Sequence, residues 1–150
     1  MQCTRTFEFD AAHRIINHEG KCKFLHGHRY KIDIHFAAKN LDNLGRIIDY
    51  GNIKNIFGNW IDSNLDHNLI LSEEDRDIGE IIAKKTGQGI YYVNFNVTSE
   101  NLARHLLFDV FINLMNDKNS IKCIGIRLYE TPNCFVDIKQ DDVEDFPVDL

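Results

Sequence analysis

Residues 13 to 28 gather the side chains of this sequence best suited to metal and proton chemistry. They hold His13, His18, His26 and His28, four of the seven histidines, with Cys22 set between Lys21 and Lys23. His26 and His28 are two apart, so on an extended strand both imidazoles leave the same face. His13 continues the alternation Phe7, Phe9, Ala11 of the preceding stretch. Pairing two such strands in a common register brings three imidazoles together, and no other residue type nearby offers a fourth protein donor. Three neutral nitrogens with one position open is the donor set of a catalytic zinc rather than a structural one. A lone His-x-His more often caps an exposed strand; here a third histidine of matching parity favours the metal. His35 points outward on its strand and His105 falls within a helical pattern, so neither joins the set.

Three further residues carry weaker signals. Cys22 stands four residues before His26. Ammonium neighbours and a nearby dication bias a thiol toward thiolate, the form that acts as base or nucleophile. An inert loop cysteine and a fourth zinc ligand together weigh as much as the catalytic reading on spacing alone. Asp66-His67 closes a predicted helix, as a polar terminus or as an acid that orients a ring for proton transfer. Glu130 ends an otherwise apolar row, Ile124, Ile126, Leu128. A lone buried carboxylate is costly, so it pairs with a core cation or grips a planar donor pair on a ligand.

The elements that must position these groups follow from periodicity. Residues 3 to 13 and 28 to 38 alternate as two half-buried strands, with His13 and His28 prolonging their inner faces. Residues 14 to 25 connect them. Ile53, Ile56, Phe57, Trp60, Ile61 and Leu65 recur at helical spacing over 51 to 64. A short helix fits 77 to 85, before Gly87-Gln88-Gly89, and Ile90 to Phe95 is extended. Thr98-Ser99-Glu100 opens a second strong helix with a hydroxyl cap and an acid in the first turn. Two last strands cover 121 to 130 and 134 to 139, in which Cys123 and Cys134 read as small core residues. The expected fold is α+β: a four-stranded antiparallel sheet with two helices on one face, whose free edges argue for an oligomer. One domain spans 1 to 140, followed by an acidic tail over 141 to 150.

Composition sets the outer limits. The chain has 150 residues and a net charge of −6, which disfavours a general nucleic-acid binder. No run of 18 apolar residues and no leader pattern is visible, so a cytoplasmic protein with no membrane partner is expected. Four cysteines without Cys-x-x-Cys spacing read as free thiols.

Taken as a set, Phe9-Asp10-Ala11-Ala12-His13, Cys22 with Leu25-His26-Gly27-His28, Ile48-Asp49-Tyr50, Leu65-Asp66-His67, Thr98-Ser99-Glu100-Asn101 and Glu130-Thr131 resemble the 6-pyruvoyl-tetrahydropterin synthase and 6-carboxytetrahydropterin synthase family. The resemblance covers about residues 3 to 139. It implies the tunnelling fold, a ββααββ unit whose trimers close into a barrel and stack as a homohexamer. It implies zinc on His13, His26 and His28, Cys22 as the proton-abstracting thiolate, and His67 with Asp66 as a second acid/base unit contributed across a subunit interface. It also implies that Glu130, with Thr98 and Ser99, holds the pterin. The implied substrate is 7,8-dihydroneopterin triphosphate, its triphosphate near Lys21, Lys23 and Arg29. The three residues between Cys22 and His26 resemble the carboxy branch of queuosine synthesis, which also releases acetaldehyde, more than the pyruvoyl branch of tetrahydrobiopterin synthesis. Residues 71 to 97 are longer than in compact bacterial members. Two readings from other classes stand beside it: a zinc-stabilised oligomeric binding module without activity, and a zinc hydrolase that needs no thiol.

Overall fold

The computed structural model describes residues 1–115 and 120–145. Strand β1 (Gln2–His13) and strand β2 (His26–Ala38) pair antiparallel along their whole length. Phe9 and Tyr30 face each other in that register and stack with ring centroids 5.1 Å apart. The same register sets His13 opposite His26 and Ala11 opposite His28. Alternation thus delivers three histidines to one end of one face, as the period of two requires.

Helix α1 covers 50–64. It begins as Tyr50–Ile53, widens into a π-type stretch at Lys54–Gly58 and closes as Asn59–Asn64. Asp49 caps it by accepting from the Gly51 amide at 2.7 Å. Strand β3 (Asn68–Ser72), helix α2 (Arg76–Thr86) and strand β4 (Ile90–Val93) follow. Helix α3 starts at Ser99–His105, widens at Leu106–Phe111 and is described to Ile112–Met115. Strands β5 (Ile121–Thr131) and β6 (Cys134–Lys139) complete the sheet. Phe36, Phe57 and Phe111 meet edge to face at 5.1 and 5.3 Å and tie β2, α1 and α3 into one core. Such ring contacts add to the area they bury.

Four expectations are corrected. The sheet has six strands in the order β4-β3-β1-β2-β5-β6, not four, and is mixed: β3 runs parallel to β1, and β4 parallel to β3. Residues 68 to 93 add this β-α-β unit to one edge. The helices do not all share a face. Tyr91 meets Trp60 and His105 on the side of α1 and α3, while the next residue, Tyr92, fills the space beside Gly79 of α2. Ile124 is not inward either, because a bulge between His35 and Phe36 shifts the partner register from Gly125 to Cys123. That irregularity reverses parity, so Cys123 is buried with Ile126 and Leu128. Finally, Cys134 is exposed. Within the expected acidic tail, Gln140–Asp145 forms a short helical stretch, and Asp142 accepts from the Lys139 amide at 2.7 Å. Residues 146–150 lie outside the described residues. Among the described residues, no helix is long and apolar enough to cross a membrane.

Candidate active site

The three imidazoles meet at the end of the hairpin. Ring centroids of His13, His26 and His28 lie 4.7 to 5.2 Å from one another. One ring nitrogen on each of two rings is already committed. His13 Nδ1 donates to the Val97 carbonyl at 2.8 Å and His26 Nδ1 to the Phe24 carbonyl at 2.7 Å. A backbone carbonyl on Nδ1 fixes the tautomer, leaving Nε2 as a lone pair for a ligand. His13 Nε2 and His28 Nε2 are buried with no hydrogen-bond partner.

Glu130 aims at the same space. Its Oε1 lies 3.4 Å from His13 Nε2 and 4.0 Å from His28 Nε2. Burial is the main cause holding both imidazoles below their ordinary value, and His26 pushes the same way; for both rings this outweighs the opposing pull of Glu130. Neutral lone pairs facing a carboxylate repel one another. The arrangement therefore fits a cation seated among the rings, and the three histidines form a group whose ligand atoms lie within 4.8 Å. Neither Glu130 nor Cys22 joins that group; Glu130, brought by β5 from a hundred residues away, faces two of the rings instead. Sequence reasoning also passed over Tyr30, whose buried hydroxyl lacks a partner within ring contact of His13 and His28. Burial pushes that phenol up, so it stays protonated.

Cys22 sits in a short turn, Lys21–Lys23, on the connection between β1 and β2. The Ile15 amide donates to the Cys22 carbonyl at 2.8 Å, folding the connection back on itself. Two side chains that the sequence did not single out fasten it further. Asn96 clasps Ile16 by both backbone groups, at 2.8 and 2.9 Å. Arg14 reaches Asp75 through Nε at 2.7 Å. Thr98 accepts from the Asn101 amide at 3.2 Å and so caps α3; its neighbour Val97 is the partner of His13, which puts Thr98 and Ser99 beside the triad.

Asp66 and His67 form a separate unit. His67 Nδ1 pairs with Asp66 Oδ2 at 2.8 Å, and Asp66 Oδ1 accepts from the Asp10 amide at 2.8 Å. His67 has φ 58°, in the left-handed region, which costs a non-glycine residue roughly 1–2 kcal/mol. Its backbone is held from both sides, N–H by the Asp10 carbonyl at 2.6 Å and C=O by Gln88 Nε2 at 2.5 Å. The hydrogen bond that His67 donates to Asp66 raises the His67 pKa. Partial burial pushes Asp66 up, and the Asp10 amide and the His67 ring more than reverse it, leaving Asp66 lowered. The dyad shares the outward face of β1 with Asp10, whereas His13 faces inward. A shallow cleft runs from His67 and Gln88 past Gly27 to the flank of His28. Within one chain the structure does not bring the dyad into the imidazole group. Arg29 is on the outward side too, and it pairs with Glu8 and Asp10.

Comparisons with known proteins agree with this geometry. Residues 2–141 match the 6-pyruvoyl tetrahydropterin synthase family. A protein of Rickettsia typhi named 6-carboxy-5,6,7,8-tetrahydropterin synthase is 51% identical over 138 residues, covering 92% of this chain and 99% of its own length. A protein of the same name from Haemophilus influenzae is 30% identical, over 91% of this chain and 97% of its own. Among solved structures, an uncharacterised protein of Wolinella succinogenes superposes with a TM-score of 0.78 at 22% identity, covering 93% of this chain and 98% of that one. The 6-pyruvoyl tetrahydropterin synthase of Caenorhabditis elegans gives 0.66 at 22%, covering 93% and 94%. At those identities the two structures speak to the fold.

Proposed function

Because the chain belongs to the 6-pyruvoyl tetrahydropterin synthase family, we propose that it is a cytoplasmic, zinc-dependent lyase. It converts 7,8-dihydroneopterin triphosphate and one water to 6-carboxy-5,6,7,8-tetrahydropterin, acetaldehyde and triphosphate, on the route to 7-deazaguanines and queuosine. The observation that carries the chemistry is the convergence of partnerless buried imidazole nitrogens and the Glu130 carboxylate. The choice of the carboxy product is supported by the names and near-complete coverage of the Rickettsia and Haemophilus relatives.

His13, His26 and His28 would hold the zinc, and the donor set fits it. When bound, zinc supplies Lewis acidity toward the substrate's side-chain oxygens and makes the neighbouring C–H bonds easier to break. Cys22 takes a proton from side-chain carbon as the base. His67, kept protonated by Asp66, returns a proton to the leaving side, and it comes from a second protomer of a trimer or hexamer. Glu130 accepts from the amino-pyrimidine edge of the pterin, a two-point contact of the kind a carboxylate makes with guanidinium. Thr98 and Ser99, at the start of α3, border the same space and orient the ring.

Incubation with dihydroneopterin triphosphate tests the reading directly. The expected product has the mass of the carboxy-pterin, with acetaldehyde in equal amount. A product that retains its side chain would move the protein to the pyruvoyl branch. If instead Cys22→Ala leaves turnover intact, a hydroxide-based hydrolase is the better account; if no pterin is turned over at all, a zinc-stabilised binding module is.

A further inference from the structure

We propose that Asp75, acting through Arg14, is a positioning residue for the Cys22 loop. The inference rests on the reading of Cys22 as the base. Asp75 is 4% exposed and closes the single 3-10 turn Glu73–Asp75, capped by Ser72, that runs directly into α2. Its side chain makes no capping bond. Instead both carboxylate oxygens are turned to Arg14, Oδ2 to Nε at 2.7 Å and Oδ1 to NH2 at 2.5 Å. Arg14 is the first residue after the metal-facing His13, and its remaining arm donates to the Lys23 carbonyl at 3.4 Å. Lys23 follows Cys22 directly.

The guanidinium therefore links three places: the end of β1, the start of α2 and the turn that carries the thiol. A carboxylate buried this far needs a full partner, and a forked pair fixes direction as well as distance. The β3-α2-β4 unit, which brings Asp75 here, thereby reaches the catalytic turn. Asn96 holds the other limb of the connection through Ile16, so the Cys22 turn has support from both sides.

Asp75→Ser and Arg14→Lys test this in the zinc-loaded full chain. Serine keeps a short polar side chain at residue 75 while removing the fork, with the Ser72 cap untouched; lysine keeps the charge at residue 14 without the fork. The first readout is iodoacetamide modification of Cys22, followed by peptide mass, with exposed Cys134 as internal reference. The Cys22-to-Cys134 rate ratio is expected to rise at least about ten-fold as the turn opens locally. The second is kinetics: kcat falls roughly 10- to 100-fold with KM within about two-fold, because a misplaced base costs rate rather than binding. Zinc content and the circular dichroism spectrum stay as in the parent. Glu73→Gln, which breaks the exposed Glu73–Arg76 pair in the same segment, leaves both readouts unchanged.

An unchanged modification ratio in either folded variant overturns the inference, as does a loss of zinc that parallels the loss of rate. Should Asp75→Ser fail to fold, Arg14→Lys decides alone. If Cys22→Ala proves fully active, the reading of the thiol fails, while the modification ratio still reports whether Asp75 holds the turn.

Discussion

At the residue scale, the site is defined by which atoms lack partners. Val97 and Phe24 carbonyls take up Nδ1 of His13 and His26, so the remaining nitrogens have nowhere to point except at one another and at Glu130. This makes the roles separable. On the proposed role of Cys22 as base, Cys22→Ala removes a group that no ring depends on, so zinc stoichiometry is expected to hold while kcat falls roughly 10²–10⁴-fold, the usual worth of a positioned proton-transfer group; equal zinc with undiminished turnover would remove the thiol from the reaction. His67 gives a second prediction. Its pKa is raised above 6.5 by Asp66, so it stays charged to a higher pH than a free imidazole. In Asp66→Asn the midpoint, followed by the ring proton resonances, is expected to fall toward 6.5, and a step that needs charged His67 is then lost at lower pH. The ring is largely exposed, so added salt shrinks the difference; a midpoint unaffected by the substitution would disprove the pairing. The histidines were legible because His-x-His parity is local. Glu130 was legible as an oddity, a carboxylate on an apolar row, but its target was not. Asp75, Gln88 and Asn96 gave no signal, because polar residues that hold backbone from afar have no period.

At the element scale, what the sequence conveyed depended on length. The long alternations of β1 and β2 and the helical spacing of α1 and α3 came through, since many residues repeat one choice of face. β3 did not: Leu69-Ile70-Leu71 is three apolar residues after Asn68, too short to separate from a helix end. The bulge in β5 was invisible for the same reason, as one displaced residue looks like noise in an alternating pattern. Gly125 marks it physically. A Cβ there would meet the Ile138 carbonyl oxygen at 2.8 Å and the Lys139 backbone, so Gly125→Ala must push β6 away from β5. We expect a loss of about 1–3 kcal/mol in urea unfolding, the range for overpacking a tight contact, together with weaker substrate binding, since β5 carries Glu130 five residues on. A variant as stable as its parent would mean that β6 yields freely. Phe57, fully buried where α1 widens, tests the core: Phe57→Ala is expected to cost about 3–5 kcal/mol with zinc ligation in the surviving folded fraction unchanged.

At the scale of the whole molecule, the two halves of the chemistry face away from each other. His13 belongs to the inward side of the first hairpin, while the side chains of Asp66 and His67 gather with that of outward-facing Asp10, whose backbone they also hold. β1 lies between them, and a paired strand cannot turn one residue over without reversing all of its neighbours. On the proposed mechanism, a dyad so fixed serves an imidazole group presented by another copy. Closed rings of identical subunits would provide that arrangement, each protomer giving its thiol to one site and its dyad to the next. The consequence is measurable by complementation. Cys22→Ala and His67→Ala homo-oligomers are each expected to be nearly inactive. Co-expressed in equal amounts and assembled at random, they restore sites in which an intact thiol meets an intact dyad. Each group is intact in half of the chains, so about one quarter of parental activity returns. Mixing the two proteins after assembly, without exchange of subunits, returns none. If co-assembled hybrids, verified by mass, stay as inactive as either parent, then thiol and dyad act within one chain, and β1 must not hold them on opposite sides during turnover.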